Sequence, residues 1–105
     1  DLSLSIPANN SSSFDNFNAQ GSYDLLVNVH PSDTNIIIIG GTNLWRSTDG
    51  FTSPNNTSII GGYMPGSSSG HENWGSYPNH HPDQHEILYL PSDDKVMING
   101  NCGGI

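Results

Sequence analysis

Ten residues of this chain return in register. Pro31-Ser32-Asp33-Thr34-Asn35-Ile36-Ile37-Ile38-Ile39-Gly40 reappears 60 positions later as Pro91-Ser92-Asp93-Asp94-Lys95-Val96-Met97-Ile98-Asn99-Gly100, with five of the ten positions identical. Just ahead of the second copy, Ile87-Leu88-Tyr89-Leu90 takes the place of Val27-Asn28-Val29-His30. A turn of Pro, Ser and Asp followed by a β-branched run that ends on Gly is a strand with its boundaries marked. A chain that repeats such a unit must fold each copy alike and then find somewhere to bury its apolar face. The second copy reaches Ile105 where its next strand is due.

Composition agrees with strands and long connections. Gly, Asn and Ser supply 12, 13 and 15 residues and Ala only two, which disfavours long helices and excludes a helical bundle or coiled coil. Two basic residues against ten acidic ones give a net charge of −8 and exclude a nucleic-acid binder that works by neutralising phosphates. Leu, Ile, Val and Phe make up 23 of 105 residues, few for a self-sufficient core, and the single Cys102 can form no internal disulfide. The longest apolar run, Ile36 to Ile39, is too short to span a bilayer, and no transmembrane segment is expected. The chain begins at Asp1 with no visible signal peptide and is read as a processed chain or a fragment.

The expected organisation is all-β. Residues 1–20 form an extended polar entry segment in which Leu2, Leu4 and Ile6 alternate as an edge strand. Residues 21–52 hold a meander of three strands, Tyr23–Val29, Ile36–Ile39 and Leu44–Ser47, the last closed by Thr48-Asp49-Gly50. Residues 53–80 read as one long Gly/Ser/Asn loop, and residues 81–105 begin the second unit. Strand repeats of about 40–50 residues point to propeller blades, the extra length here lying in the loop. The alternative is a pair of similar hairpins in a small sandwich.

Arg46-Ser47-Thr48-Asp49-Gly50-Phe51-Thr52 resembles the Asp-box (BNR) hairpin of sialidase-like and sortilin-like propellers, which runs Ser/Thr, any residue, Asp, any residue, Gly, any residue, Thr, aromatic. Phe51 stands where the box has Gly, and no Trp follows Thr52. The order of Gly21-Ser22-Tyr23-Asp24-Leu25, Pro31-Ser32-Asp33, Gly40 to Gly50, His81-Pro82-Asp83-Gln84-His85 and Gly100-Asn101-Cys102-Gly103-Gly104-Ile105 is similar to blades of secreted bacterial Asp-box propellers. Cys102 occupies a position where those relatives carry Asp. The resemblance implies a propeller of which this chain holds about two blades. It implies a structural role for Ser47, Asp49, Gly50 and Thr52, with Asp49 capping the turn by accepting backbone N–H groups. It leaves function open, because such propellers serve both xyloglucanase-type glycoside hydrolases and non-catalytic surface proteins.

Three groups of residues have side chains suited to chemistry or binding. His81, Asp83 and His85 are two apart, so on a strand they share a face and would suit a divalent metal; hydrogen bonding to neighbouring blades is the preferred reading, and Pro82 favours an edge position. Glycoside hydrolysis needs two carboxyl groups across the scissile bond. Asp33, Asp49 and Asp93 fall in turns, which leaves Asp24, Glu72, Asp83 and Glu86, with Asp83 and Glu86 as the catalytic candidates and no spacing that marks a pair. Tyr63, Trp74 and Tyr77 in the long loop could present aromatic faces to sugar rings or could pack beneath the loop.

The function expected from the sequence is a secreted or cell-surface propeller segment that binds carbohydrate or protein without chemistry of its own. The alternatives are a piece of a β-glucan hydrolase and a structural element of a larger surface complex. The expected partners are further blades or a partner chain and a glycan; no cofactor is expected, a divalent metal at the His-Asp-His stretch being the exception.

Overall fold

The computed structural model describes residues 5–6, 17–63 and 80–105. Among the described residues there are six strands: β1 (Leu26–Val29), β2 (Ile37–Gly40), β3 (Leu44–Ser47), β4 (Thr57–Gly61), β5 (Gln84–Leu90) and β6 (Asp93–Asn101). β1 to β4 form an antiparallel four-stranded meander in chain order, and β5 and β6 pair as a separate antiparallel hairpin. The all-β expectation holds. The helical content described is two single 3-10 turns, Gln20–Ser22 and Pro54–Asn56.

β3 lies where its sequence predicted, at Leu44–Ser47. β1 is shorter than expected because the chain still turns through Tyr23 and Asp24, whose N–H groups bond Gln20 and Ala19 carbonyls. The loop expected over 53–80 is corrected at its start, since Thr57–Gly61 is a strand paired with β3. Its residues are hemmed in by Asn55-Asn56 and Gly61-Gly62, so local turn chemistry hid a run whose β-branched Thr57, Ile59 and Ile60 suit a pleated surface. A bulge between Leu44 and Trp45 adjusts the register of that pairing.

The 60-residue repeat is reproduced in the hairpin geometry. In the first unit Leu26, Val27, Asn28 and Val29 oppose Gly40, Ile39, Ile38 and Ile37. Advancing every member by 60 gives Glu86, Ile87, Leu88 and Tyr89 opposite Gly100, Asn99, Ile98 and Met97, and these are the partners in the second hairpin. The two turns differ. His30 N–H bonds the Ile36 carbonyl across the first, whereas Leu90 already faces Asp93 in the second, after a bulge at Tyr89.

Strand alternation sends adjacent isoleucines of β2 to opposite faces. Ile38 joins Leu44 and Ile87 in one buried cluster, flanked by Leu26, Ile60 and Tyr89, and this cluster is the junction between the two units. Ile39 joins Trp45 and Phe51 in a second cluster on the far face of the first sheet, flanked by Ile6, Phe17, Ile37 and Ile59. Hydrogen bonds fasten the junction as well. Asp83 N–H and Gln84 N–H reach the Thr42 and Gly41 carbonyls at 2.9 and 2.8 Å, and Asn28 Nδ2 reaches the Ile87 carbonyl at 3.0 Å. Gly41 is required by close approach, because a Cβ there would run into the Asn18 carbonyl.

Beyond these clusters, apolar side chains of β1 and of the second hairpin are left exposed. Val27 and Val29 on β1 are 65% and 46% exposed, and Leu88 and Ile98 on the second hairpin are 60% and 40% exposed.

Candidate functional site

The turn after β3 is built around Ser47 and Asp49. Ser47, fully buried, accepts the Phe51 N–H at 2.8 Å and the Asp49 N–H at 3.2 Å on its Oγ, and donates its own proton to Asp49 Oδ1 at 2.9 Å. Ser53 Oγ and Asn56 Nδ2 each donate to Asp49 Oδ2 at 2.9 Å. The Asn56 amide above all, then the Ser47 and Ser53 hydroxyls, hold the Asp49 carboxyl well below its ordinary pKa. Side-chain donors therefore satisfy this carboxylate, where backbone N–H groups were expected, and the backbone capping falls to Ser47. Thr52 closes the turn through its hydroxyl to the Asp49 carbonyl at 2.9 Å, and Gly50, at φ 68°, donates its N–H to the Asn35 carbonyl. Phe51 is in the left-handed region at φ 59°, a conformation that a Gly adopts without strain, and its ring is anchored in the second core cluster at 3% exposure.

At one end of the junction four titratable side chains meet. Asp24 is fully buried, and neither carboxylate oxygen accepts a hydrogen bond. His85 Nδ1 lies 3.7 Å from Asp24 Oδ1, and His85 Nε2 lies 3.5 Å from the Cys102 thiol. The Asp83 carboxyl is alongside and is held by Gln20 Nε2. Burial first, and then the charge of Asp83, push the Asp24 carboxyl above its ordinary pKa, while His85 works in the opposite direction. Burial and the Asp83 and Asp24 charges likewise push the Cys102 thiol up, which favours the unreactive protonated form.

The expected His81-Asp83-His85 face does not form. Asp83 takes a left-handed conformation at φ 65° and β5 begins only at Gln84, so strand alternation does not run through these residues. His81 is exposed with its ring against the Pro82 carbonyl, while Asp83 and His85 turn toward Asp24 and Cys102. Among the described residues no group of three or more His, Cys, Asp or Glu is arranged to hold a metal ion. The two catalytic candidates are also engaged separately. Glu86 Oε1 accepts the N–H of its neighbour Ile87, and the carboxyl beside Asp83 is that of Asp24. Tyr63 is half-buried, its N–H donated to Asn43 Oδ1 at 2.7 Å and its hydroxyl pKa raised by burial and then by the charge of Asp83. Trp74, Tyr77 and Glu72 lie outside the described residues.

The other end of the junction opens into a groove that spacing within one segment could not reveal. The two repeated turns form its walls. A cavity of about 450 Å³ lies between Pro31-Ser32 and Pro91-Ser92, with Tyr89, Leu90, Asp93 and Asp94 completing it. A cleft of about 210 Å³ shares Tyr89 and Asp94 with that cavity and is lined further by His30, Arg46, Thr48 and Lys95 over Ile36, Ile38 and Met97. His30 fixes the groove. Its Nδ1 accepts the N–H groups of Ser32 and Asp33 at 3.2 Å each, so that nitrogen carries no proton, and Nε2 donates across the junction to the Asp94 carbonyl at 3.0 Å. Its ring meets Tyr89 edge to face at 4.9 Å. The carboxylates of both turns serve their own backbone: Asp33 Oδ1 accepts the Asn35 N–H and Asp93 Oδ1 the Lys95 N–H. The signal for this groove in the sequence was the repeated Pro-Ser-Asp, read there only as a turn.

Comparison with protein-family models, with curated proteins and with solved structures returned no match. No helix among the described residues is long and apolar enough to cross a membrane.

Proposed function

We propose that this chain is a two-unit portion of an Asp-box type β-propeller that acts outside the cell or at its surface, binding carbohydrate or protein without chemistry of its own. The observation that carries this reading is the fate of one repeated residue. Ile38 is 1% exposed at the junction, and Ile98, the same residue at the same repeat position and in the same register, is 40% exposed. The first unit presents Leu26, Asn28 and Ile38 to the Ile87 and Tyr89 face of the second. By repeat equivalence Glu86, Leu88 and Ile98 are ready for a following unit, and Val27 and Val29 are ready to receive a preceding one. The contact is head to tail, the kind that continues from unit to unit. The left-handed Phe51 at the box position of Gly supports the family resemblance. The groove between the two Pro-Ser turns supports binding, since an aromatic ring flanked by hydroxyls offers a stacking face with adaptable polar groups.

The stacking is tested with two variants that each spoil one face. In sedimentation analysis the unaltered chain associates with rising concentration, whereas Leu88→Asp and Val27→Asp are each monomeric. Mixed together they form a 1:1 dimer, because each retains the face the other lacks. Failure of the mixture to associate would exclude head-to-tail stacking.

Binding is tested on an array of saccharides and peptides. The chain is retained by a subset of spots, and Tyr89→Leu, which keeps the apolar contact at the junction, loses that retention. Hydrolysis of a β-glucan that disappears in Asp83→Asn or Glu86→Gln would overturn the non-catalytic reading in favour of a glycoside hydrolase.

A further inference from the structure

The chain has only two basic side chains, Arg46 and Lys95, against ten acidic ones. Both line the same cleft. They arrive from different units: Arg46 lies on β3, on the face it shares with Ile38, and Lys95 lies on β6, on the face it shares with Met97 and Tyr89. Both are exposed, and among the described residues neither forms an ion pair. Surface cations of a protein with net charge −8 have acids in excess to pair with, so two that face each other unpaired across a groove are free to meet a ligand. Asp94 also lines the cleft and its carboxylate counts against theirs, yet among the described residues it forms no ion pair with either. Asp93, in the adjoining cavity, is occupied with the Lys95 N–H. Tyr89 stands between the cleft and that cavity, with the Thr48 side chain on the cleft side and Ser32 and Ser92 beyond.

We infer that this cleft takes the oxyanion of an acidic saccharide, a uronate carboxylate or a sulfate ester. Arg46 and Lys95 hold the charge, and the adjoining sugar extends past the Tyr89 ring into the cavity between the Pro-Ser turns. The guanidinium suits a two-oxygen contact and the ammonium a single one, so the pair fits one planar or tetrahedral oxyanion held from both units. The ligand therefore bridges the junction, which makes binding conditional on the two units being stacked. This deepens the binding role proposed above and rests on it.

Calorimetric titration of the chain with three oligosaccharides of matched length, one uronate-rich, one sulfated and one neutral, tests the assignment. An acidic oligosaccharide binds, the neutral one binds at least about tenfold more weakly, and affinity falls as salt rises. The uronate and sulfate arms show which oxyanion the cleft prefers. Arg46→Gln and Lys95→Gln each weaken the acidic ligand about tenfold or more and leave the neutral one unchanged, with melting temperatures unaltered because both side chains are exposed. Equal, salt-insensitive binding of neutral and acidic ligands overturns the charge assignment and leaves the saccharide-binding role standing. Absence of binding to all three, together with a blank saccharide array, overturns both.

Discussion

Ile87→Ala will lower the stability of the chain by about 2–5 kcal/mol in urea or thermal unfolding. Ile87 is 1% exposed and packs on Ile38 and Leu44 across the junction. The loss combines the transfer of the removed atoms with a cavity that two rigid sheets close only in part. Against the roughly 5–15 kcal/mol total of an ordinary domain, and with so small a core, the variant will be partly unfolded at room temperature. The neighbouring Leu88→Ala is the control. Leu88 is on the same strand but 60% exposed, so its truncation changes stability by no more than about 0.5 kcal/mol. Equal effects of the two substitutions would mean that the units do not pack through this face.

Asp24→Asn will stabilise the chain at neutral pH, by about 1–3 kcal/mol, and the gain will shrink as the solution is acidified. The buried Asp24 carboxylate has no donor and faces the like charge of Asp83, with His85 the opposing group and Cys102 behind it. An asparagine removes the charge and supplies an N–H₂ that can donate to Asp83. The sign follows from the raised pKa. Above its folded value Asp24 is charged at a cost, as pH falls through that value the proton is taken up and the cost disappears, and below the ordinary 3.8 folded and unfolded chains are both protonated. Asp49 behaves in the opposite sense. Its lowered pKa contributes stability above 3.8 that is lost as pH falls further. Together these two carboxyls favour the fold most between the uptake of a proton by Asp24 and the loss of the Asp49 network. His80, its ring held below the ordinary imidazole pKa by burial, opposes them as pH falls through 6.5. Melting curves of both proteins from pH 7 to pH 3 measure this. A constant difference across that range would show that Asp24 is not the group responsible.

What the sequence made legible was whatever lies within one segment. The β3 boundaries, the Ser47–Asp49 turn and the 60-residue register follow from turn residues and β-branched runs that act locally. β4 was hidden because Asn55-Asn56 and Gly61-Gly62 crowd the four residues between them, and only pairing with β3 makes them a strand. His81, Asp83 and His85 have the right spacing for a shared face, but one residue at φ 65° cancels strand periodicity. Asp24 gave no sign that it is the most thoroughly buried charge of the described chain, because the groups its carboxylate meets, Asp83 and His85, come from the second unit. The groove required Arg46 and Lys95 to meet, and their encounter depends on how one unit packs on the next.

The exposed Leu88 and Ile98 on one side and Val27 and Val29 on the other have a consequence for counting. A contact that joins unlike faces contains no instruction to stop. The rotation from one unit to the next decides the outcome: if whole steps complete a circle, the last open face meets the first and the structure seals as a ring. If they do not, the same contact builds an open filament. Under the proposed head-to-tail stacking, the number of units in an assembly is encoded in the angle at a single junction, and a core substitution there that tilts one sheet would alter the count before it abolished the fold.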